Sequence, residues 1–263
     1  MSDLRAFIVA AGRGSRLRPF TDVAPKCLIP FAGRRLLEWQ LSALRANGID
    51  QIGMIRGYKK ETLDFAALPF WDNERWEETN MVYSLLRARE ALLGSKDTLI
   101  AYADIVYEPR IIDALAKTQA DIAITVDRNW HALWSLRFDD PLSDAESLRL
   151  DKTSRVLDIG RKVTSLDEIE AQYMGLLKFS AEGMRAFIDY YDRQVALIGV
   201  QAERLAMTDM LQGLIQEGTK IVAVPVNGGW LEFDNNRDLE AFEGLHARGA
   251  LTPFFSTAAF SRW

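Results

Sequence analysis

The chain has 263 residues, of which 48% are apolar and 26% are charged, and this predicts either one large α/β domain or two small ones. We expect one domain. The formal net charge of −5 offers no general attraction to nucleic acid or to an anionic membrane, so we expect neither as a partner. Cys27 is the single cysteine, which excludes an internal disulfide and a multi-cysteine metal site. No stretch has the length of a membrane span or a signal-peptide core, and we expect a soluble, cytoplasmic protein.

Apolar runs and amphipathic segments alternate over the first half of the chain. Strands are predicted at residues 5–11, 49–55, 97–107 and 121–127. Three helices are predicted: one at residues 34–46, one that begins after a cap at Thr79 or Asn80, and one at residues 109–117. This alternation predicts an α/β fold in which a mostly parallel central sheet carries helices on both faces. Ligands of such sheets bind at the carboxyl ends of the strands, where Gly12, Asp104 and Asp127 fall.

The second half of the chain begins with a different pattern. Residues 147–160 predict an inserted β-hairpin with its turn near residues 152–154. A strand at residues 173–179, a helix capped by Ser180 and a helix at residues 207–218 are predicted next. Strands at residues 220–226 and 229–234 are predicted to end the sheet, and a helix at residues 235–247 follows them. We therefore divide the domain of residues 1–263 into residues 1–127, residues 128–247 and an aromatic tail of residues 248–263. The tail packs either on the core or on a second subunit of a homodimer, and the sequence leaves both open.

The loop after the first strand reads Gly-Arg-Gly-Ser-Arg, and its glycines would let successive N–H groups surround an anion. Leu17 stands where the dinucleotide-binding fingerprint needs a third glycine, and the Gly-Lys-Ser/Thr of a P-loop is missing from this stretch. A flexible surface loop with solvated arginines is the alternative interpretation. Lys26, between Pro25 and Pro30, favours an anion site because extended backbone near prolines would hold its ammonium group in a fixed direction.

The stretch "AAGRGSRLRPFTDVAPKCLIPFAGRRLLEWQLSALRANGI" closely resembles the signature of the sugar-phosphate nucleotidylyltransferase superfamily. Its members join a nucleoside triphosphate to a phosphorylated small molecule and release pyrophosphate. Other segments, among them "TNMVYSLLRA", "YADIVY", "DIGRK" and "GGWLEFDNNRDLEAF", resemble small cytidylyltransferases of the phosphocholine and 2-aminoethylphosphonate type. The resemblance implies a Rossmann-like nucleotidyltransferase domain that binds nucleotide with residues 1–127 and the acceptor with residues 128–247. It also implies CTP as the favoured triphosphate and Mg²⁺ as the cofactor.

The resemblance assigns nucleotide contacts residue by residue. Lys26 and Arg16 would be the catalytic cations, because they face charge that builds on the α-phosphate and on the departing pyrophosphate. Asn80 and Ser84 would meet the base or the ribose, although Asn80 could equally be a helix cap without a ligand. The full set of implied nucleotide contacts is Ala10, Ala11, Gly12, Gly14, Ser15, Arg16, Lys26, Asn80, Ser84 and Asp104.

Two carboxylates stand late in otherwise apolar strands. Asp104 in "AYADIVY" and Asp234 in "GWLEFD" would each be costly to bury without a cation. Both could instead be ordinary strand-end residues before a turn. Because both match the family's metal ligands and oxygen ligands suit Mg²⁺, we predict a magnesium site formed by this pair.

The acceptor contacts rest on an aromatic segment and on scattered charges. Trp130 and Trp134 could hold a cationic headgroup by cation–π attraction beside Glu232, which shares a strand face with Asp234. The alternative for any one tryptophan is core packing, since the chain has 7 of them. The predicted acceptor-binding residues are Trp130, Trp134, Lys162, Asp209 and Glu232.

Three functions are consistent with the sequence. The first is Mg²⁺-dependent cytidylyl transfer to a small phosphorylated or phosphonate headgroup. The second is a sugar- or polyol-phosphate nucleotidylyltransferase that uses CTP, UTP or another triphosphate. The third is a catalytically silent homologue that binds nucleotide and regulates a partner, although such a protein would be expected to have lost Lys26 or one of the two aspartates.

Overall fold

The structure is a computed structural model that describes residues 4–260, apart from the side chains of residues 65 and 66. A seven-stranded sheet forms its centre, with the strand order β12-β8-β11-β6-β1-β4-β5. All pairings in this sheet are parallel except those of β11, which runs antiparallel to both β6 and β8. The predicted α/β fold with a mostly parallel sheet is confirmed. Within residues 4–260, no helix combines the length and hydrophobicity that a bilayer span requires.

Strands and α-helices alternate along much of the chain. The strands are β1 (Leu4–Ala10), β2 (Pro30–Phe31), β3 (Arg34–Arg35), β4 (Ile52–Arg56), β5 (Phe70–Asp72), β6 (Asp97–Tyr102), β7 (Ile105–Tyr107), β8 (Ile122–Asp127), β9 (Glu146–Leu150), β10 (Val156–Lys162), β11 (Gln172–Phe179), β12 (Ile221–Val226) and β13 (Trp230–Glu232). The α-helices are α1 (Leu36–Ala46), α2 (Met81–Leu85), α3 (Arg89–Leu92), α4 (Pro109–Lys117), α5 (Trp130–Arg137), α6 (Ala181–Ile198), α7 (Met207–Gln216) and α8 (Asn236–Ala247).

Two layers of apolar side chains cover the sheet, one on each face. Successive residues of β1 point to opposite faces, so Ile8 belongs to one buried cluster and Val9 to the other. Helices α1, α4, α5 and α8 pack on the Ile8 side, and α2, α3, α6 and α7 pack on the Val9 side. The predicted cap of α6 is present, since the Ser180 hydroxyl accepts a hydrogen bond from the Gly183 N–H at 3.0 Å.

The strand predicted at residues 97–107 is interrupted. It forms β6 and β7, which are separated by a turn at Ala103 and Asp104, and β7 leaves the central sheet to pair with β13. The prediction that residues 229–234 end the central sheet is therefore wrong, since β12 is its edge strand and β13 belongs to a two-stranded sheet with β7. This pairing puts Glu232 opposite Ile105, immediately after the turn that contains Asp104.

Asp127 has a structural role at the end of β8. Its side chain accepts hydrogen bonds from the N–H groups of Asn129 and Gly228 and from the Trp230 indole, at 2.8, 2.9 and 2.9 Å. It thereby ties the end of β8 to the start of β13. Asp127 therefore lies at the carboxyl ends of the strands, as its position in the sequence indicated, but it lines neither of the two cavities described below.

The aromatic tail packs on the chain's own core. Leu251, Phe255 and Phe260 are buried, and Phe255 and Phe260 meet Trp39 edge-on with ring centroids 5.6 and 4.8 Å away. The Gly229 N–H donates to the Phe254 carbonyl at 2.6 Å, so the tail also supports the loop before β13. Of the two alternatives, core packing is what the structure shows for residues 251–260. Residues 261–263 of the predicted tail lie outside the described residues.

Truncation of Phe255 should lower the free energy of unfolding by about 3–5 kcal/mol, because it leaves a cavity among Phe31, Trp39 and Phe260. Urea denaturation of Phe255→Ala would measure this loss. Phe20→Ala is the matched control, since Phe20 is 44% exposed and its loss should change stability by less than about 0.5 kcal/mol. Equal effects of the two substitutions would contradict the packing of the tail.

Candidate active site

A cavity of about 210 Å³ lies at the carboxyl ends of β1 and β6. Eight of the sequence-predicted nucleotide contacts line it: Ala10, Ala11, Gly12, Gly14, Lys26, Asn80, Ser84 and Asp104. Ser15 and Arg16 do not line it, since both are exposed in a short 3₁₀ helix that begins directly after Gly14. Trp76, Thr79 and Tyr102 also line the cavity and were not predicted.

The glycine loop closes tightly over Lys26. Gly14 has a φ of +69°, and a Cβ added to it would stand 2.9 Å from the Cβ and Cδ atoms of Lys26. Any other residue at position 14 would therefore be strained and would displace the lysine. The Thr21 hydroxyl donates to the Gly14 carbonyl at 3.0 Å and fixes the loop from below. The loop is thus an ordered part of the cavity wall.

Asn80 and Ser84 both line the cavity, but their side chains are already hydrogen-bonded within the protein. Asn80 caps α2 by accepting from the Met81 N–H at 2.8 Å, and its amide donates to the Arg204 carbonyl at 3.2 Å. The Ser84 hydroxyl accepts from the Asn73 amide at 2.9 Å. The capping role that the sequence left open for Asn80 is therefore present in the structure.

Lys26 joins the two predicted metal ligands. Its Nζ donates to Asp104 Oδ2 and to Asp234 Oδ1, at 2.8 Å each, and its side chain is only 12% exposed. Burial by itself would lower the lysine pKa, but the negative charges of Asp104 and Asp234 outweigh burial and raise it. Lys26 is therefore a fixed positive charge at the boundary between the carboxylates and the cavity.

Three carboxylates converge beside Lys26, and the residues present fit a magnesium ion. Oxygens of Asp104, Glu232 and Asp234 all lie within 4.8 Å of one another. Oδ1 of Asp104 is buried and has no hydrogen-bond partner within residues 4–260, as expected of an oxygen whose partner is a ligand. Carboxylate oxygens are also the ligands that Mg²⁺ prefers. Glu232, predicted as an acceptor contact, thus adjoins the predicted metal pair.

Glu232 and Asp234 differ in their charge environment. Burial, followed by the negative charge of Asp234, raises the pKa of Glu232 to about 8. Burial would raise the pKa of Asp234 as well, but the positive charges of Lys26, Arg16 and Arg137 outweigh it and lower that pKa. Asp234 consequently remains an anion where Glu232 can hold a proton.

A second cavity, of about 280 Å³, adjoins the first and shares Met81 and Tyr102 with it. Among the described residues that line it there are four carboxylates and no lysine or arginine. Its aromatic side chains are Tyr102, Trp134 and Tyr173. Its carboxylates are Asp144, Glu146, Glu232 and Asp234. The lining of the second cavity is therefore acidic and partly aromatic.

Of the five predicted acceptor contacts, Trp134 and Glu232 line this second cavity and the other three do not. Trp130 is 5% exposed and packs edge-on against Trp134 at 6.1 Å, which is the core-packing alternative. Lys162 is exposed at the end of β10. Asp209 accepts from the Ala206 N–H at 2.8 Å in the first turn of α7. These three residues therefore do not line the second cavity, and their assignment to the acceptor stays a prediction.

Sequence reasoning missed Arg137 at the centre of the site. Its side chain is fully buried and reaches Glu232 and Asp234 at 2.6 and 3.1 Å. The available signal was its spacing, since it follows Trp134 by three residues and so shares the apolar face of α5. Asp144 and Glu146 were missed as well, because nothing in the local sequence relates them to Glu232.

Known cytidylyltransferases are similar to this chain in sequence. Residues 6–163 match the family of MobA-like NTP transferase domains. A CTP:phosphoglutamine cytidylyltransferase from Campylobacter jejuni is 36% identical over 249 residues, which cover 90% of this chain and 98% of the relative. A choline-phosphate cytidylyltransferase from Streptococcus pneumoniae is 38% identical over 98 residues, which cover 35% of this chain and 42% of the relative.

The fold agrees with that of solved nucleotidyltransferases. The structure of a CTP:phosphocholine cytidylyltransferase from Streptococcus pneumoniae superimposes with a TM-score of 0.71, covers 92% of this chain and 99% of its own, and is 21% identical. The resemblance stated from the sequence is confirmed, and the silent-homologue alternative is not supported, because Lys26, Asp104 and Asp234 are present and in contact. The chain belongs to the family of MobA-like NTP transferase domains and is a nucleotidyltransferase.

Proposed function

We propose that the enzyme transfers CMP from CTP to a small phosphorylated or phosphonate acceptor that carries a cationic amine, with release of pyrophosphate. The observation that carries this proposal is the pair of adjoining cavities, which meet at Lys26 and the Asp104, Glu232 and Asp234 carboxylates. The nucleotide would occupy the first cavity and the acceptor the second. The cytidylyltransferases among the relatives support CTP as the donor.

The reaction requires positioning and charge rather than a general base. A phosphate oxygen of the acceptor attacks the α-phosphorus of CTP and forms a new P–O bond, while the bond from that phosphorus to the bridging oxygen of the β-phosphate breaks. A phosphate monoester has a second pKa of about 6 and is largely dianionic near neutral pH, so no proton needs to be removed from it. The electron pair of the broken bond leaves with pyrophosphate. The chain's task is to hold the two anionic reactants close together.

Cationic side chains would stabilise the charge that develops. Lys26 offers its ammonium at the wall of the nucleotide cavity, and Arg16, 3.1 Å from Asp234, lies on the exposed side of the same carboxylate. Lys26 is held in place by its two aspartates, so its charge is preorganised for phosphate oxygens at the cavity wall. Asp104 and Asp234, with Glu232 beside them, would hold Mg²⁺, which supplies neutralisation of the triphosphate charge when bound.

The charge of the second cavity favours an acceptor with an amine. Four carboxylates line it without a lysine or arginine among its described residues. Arg137 and Lys26 offset the charge of Glu232 and Asp234 from outside the lining, whereas Asp144 and Glu146 have no cation beside them in the lining, so an amine would find its counter-charge there. The rings of Tyr102 and Tyr173, 5.8 Å apart, add aromatic surface that a substituted ammonium can contact. Trp134 contributes less, since it is 3% exposed.

A substrate panel tests the proposal directly. CTP, UTP, ATP and GTP would each be combined with phosphocholine, 2-aminoethylphosphonate, phosphoglutamine and glycerol 3-phosphate, and pyrophosphate release would be measured. We expect CTP with an amine-bearing acceptor to give the highest kcat/KM, by about tenfold or more over glycerol 3-phosphate. Equal use of charged and neutral acceptors would favour the sugar- or polyol-phosphate alternative instead.

Lys26→Ala should reduce kcat by at least roughly a hundredfold and change CTP affinity much less, because the charge that Lys26 faces grows in the transition state. Steady-state kinetics with CTP and the best acceptor would measure both parameters. Lys117→Ala is the control, since Lys117 is exposed and pairs with Asp113 on the surface. Near-normal turnover of Lys26→Ala would remove this lysine from the mechanism.

Asp104→Asn and Asp234→Asn should each raise the Mg²⁺ concentration needed for half-maximal activity by about tenfold or more, since an amide keeps the shape of the carboxylate and loses its charge. A Mg²⁺ titration of activity checks this, with circular dichroism as the control for folding. Wild-type activity at low Mg²⁺ in either variant would show that the carboxylate does not belong to a metal site.

Glu146 should make acceptor selectivity depend on pH. The Glu146 side chain is exposed at the rim of the second cavity, but partial desolvation there, followed by the charges of Asp144 and Asp209, raises its pKa to about 7, so that it gains negative charge as the pH rises through that value. The ratio of kcat/KM for phosphocholine to kcat/KM for glycerol 3-phosphate should therefore rise as the pH increases through about 7. Both acceptors carry a phosphate monoester with a pKa of about 6, so that titration largely cancels in the ratio.

In Glu146→Gln the ratio should lose the part of this rise that is centred near pH 7, keep any rise near pH 8 that comes from Glu232, and fall by about twofold to fivefold at alkaline pH, as for an exposed charge pair. The kcat/KM ratios would be measured at several pH values for both enzymes. A ratio that rises with pH equally in the variant and in the wild type would exclude Glu146 from acceptor recognition.

A further inference from the structure

One fully buried arginine holds three carboxylates at the candidate site. Arg137 donates to Glu232 Oε2 from Nη1 at 2.6 Å, to Asp234 Oδ2 from Nη2 at 3.1 Å and to Asp238 Oδ1 from Nε at 3.2 Å. Asp238 is itself completely buried. The planar guanidinium has five N–H donors in a fixed fork, which lets one side chain reach three partners in different directions.

We propose that Arg137 is a positioning residue that orients Glu232 and Asp234 for metal and acceptor binding. The proposal rests on the proposed function, because it assigns Arg137 a part in that same site. Arg137 lines neither cavity among the described residues, so it would act through the carboxylates and not by touching a substrate.

Arg137 divides the two oxygens of Asp234 between two sides of the site. Oδ2 accepts from Arg137, while Oδ1 accepts from Lys26 and Arg16 at 2.8 and 3.1 Å. Only Oδ1 therefore faces the cluster of Lys26 and Asp104. Without Arg137, the Asp234 carboxylate could rotate and exchange its two oxygens. The oxygen that would contact the metal would then no longer be held in one position.

Asp238 secures this arrangement from behind. Its Oδ2 accepts from the N–H groups of Asp234 and Asn235 at 2.7 and 3.2 Å, at the amino end of α8. The same carboxylate thus holds the backbone of Asp234 and, through Arg137, its side chain. A shift of Arg137 would therefore disturb both the side chain and the backbone of Asp234.

Arg137 also connects the metal ligands to the acceptor cavity. Its guanidinium lies over the Trp134 ring, 4.8 Å from the centroid, and the Trp134 indole donates to Asp144 at 3.1 Å. Trp134 and Asp144 both line the second cavity, as does Glu232. The arginine therefore supports four lining residues of the acceptor cavity, one of which, Asp234, is also a predicted metal ligand.

Stability alone does not require such an arginine. Removing a charged guanidinium from water is costly, and well-packed apolar side chains often replace buried ion pairs without loss of stability. The hydrogen bonds of Arg137 instead fix carboxylates at the junction of the two cavities. The positions of carboxylates matter for function at that junction, because they would contact the bound metal and the acceptor.

Arg137→Lys tests the proposal, because it keeps the positive charge and removes the planar fork. The first readout is the affinity for Mn²⁺, used as a spectroscopic substitute for Mg²⁺ and measured by electron paramagnetic resonance without substrates. The second is the pair of KM values for CTP and for the best acceptor. Thermal denaturation measures stability in parallel.

The matched control is Arg56→Lys. Arg56 is also a buried arginine, 4% exposed, whose side chain pairs with Asp64 and Asp72 and lines neither of the two cavities. We expect both variants to lose thermal stability, but only Arg137→Lys to raise the Kd for Mn²⁺ and the acceptor KM, each by about tenfold or more. The KM for CTP should change by less than about threefold in both variants, an order-of-magnitude expectation for contacts outside the nucleotide cavity.

Unchanged Mn²⁺ affinity and acceptor KM in a folded Arg137→Lys protein would overturn the proposal and leave Arg137 a structural role. Equal rises in Arg56→Lys would overturn it too, since general destabilisation would then explain them. If Arg137→Lys does not fold, Asp238→Asn provides the second test: loss of one arginine partner should raise the Mn²⁺ Kd by about threefold or more, and an unchanged Kd overturns the proposal. Because Mn²⁺ binding is measured without an acceptor, its result is independent of whether the proposed acceptor class is right.

Discussion

The interaction on which the site depends is the bridge from Lys26 to Asp104 and Asp234. These residues come from three distant parts of the sequence, yet the lysine ammonium lies 2.8 Å from an oxygen of each aspartate. The bridge exists only because the chain turns at Asp104 and lets β7 leave the central sheet to pair with β13. That pairing sets Glu232 and Asp234 beside the end of β6, where the nucleotide cavity opens.

The distribution of charge around this bridge separates the two cavities. Cations lie on the nucleotide side, where Lys26 forms part of the wall and Arg16 is nearby. Carboxylates line the other cavity, where the buried Arg137 balances part of their charge from behind. The proposed triphosphate and the proposed cationic headgroup would thus each meet complementary charge. In the proposed reaction, the anionic end of the acceptor would lie at the boundary where the two cavities meet.

Much of the fold follows from local sequence signals, and much of the site does not. Pro109 at the start of α4 and the serine cap of α6 determine helix ends within a few residues, so pattern reasoning finds them. The break at Asp104 escapes it, because the residues on either side are apolar and only the pairing with β13 distinguishes two strands from one. Arg137 escapes it for a similar reason: its partner Glu232 is 95 positions away, and no local rule relates them. The family resemblance located Lys26 and both aspartates, whereas the acidic lining of the acceptor cavity needed the tertiary structure.

The docking of the tail has a consequence for how the protein matures during translation. The Gly229 N–H donates to the Phe254 carbonyl, so the loop that leads into β13 is completed by residues near the carboxyl end. Residues 1–127 emerge from the ribosome first and contain the residues that line the nucleotide cavity. Asn80 in the wall of that cavity nevertheless donates to the Arg204 carbonyl, and β11 lies between β6 and β8, so the wall is complete only after the second half of the chain has been made. Both cavities thus depend on segments that are synthesised late, and the docking of the tail is among the last steps that complete them.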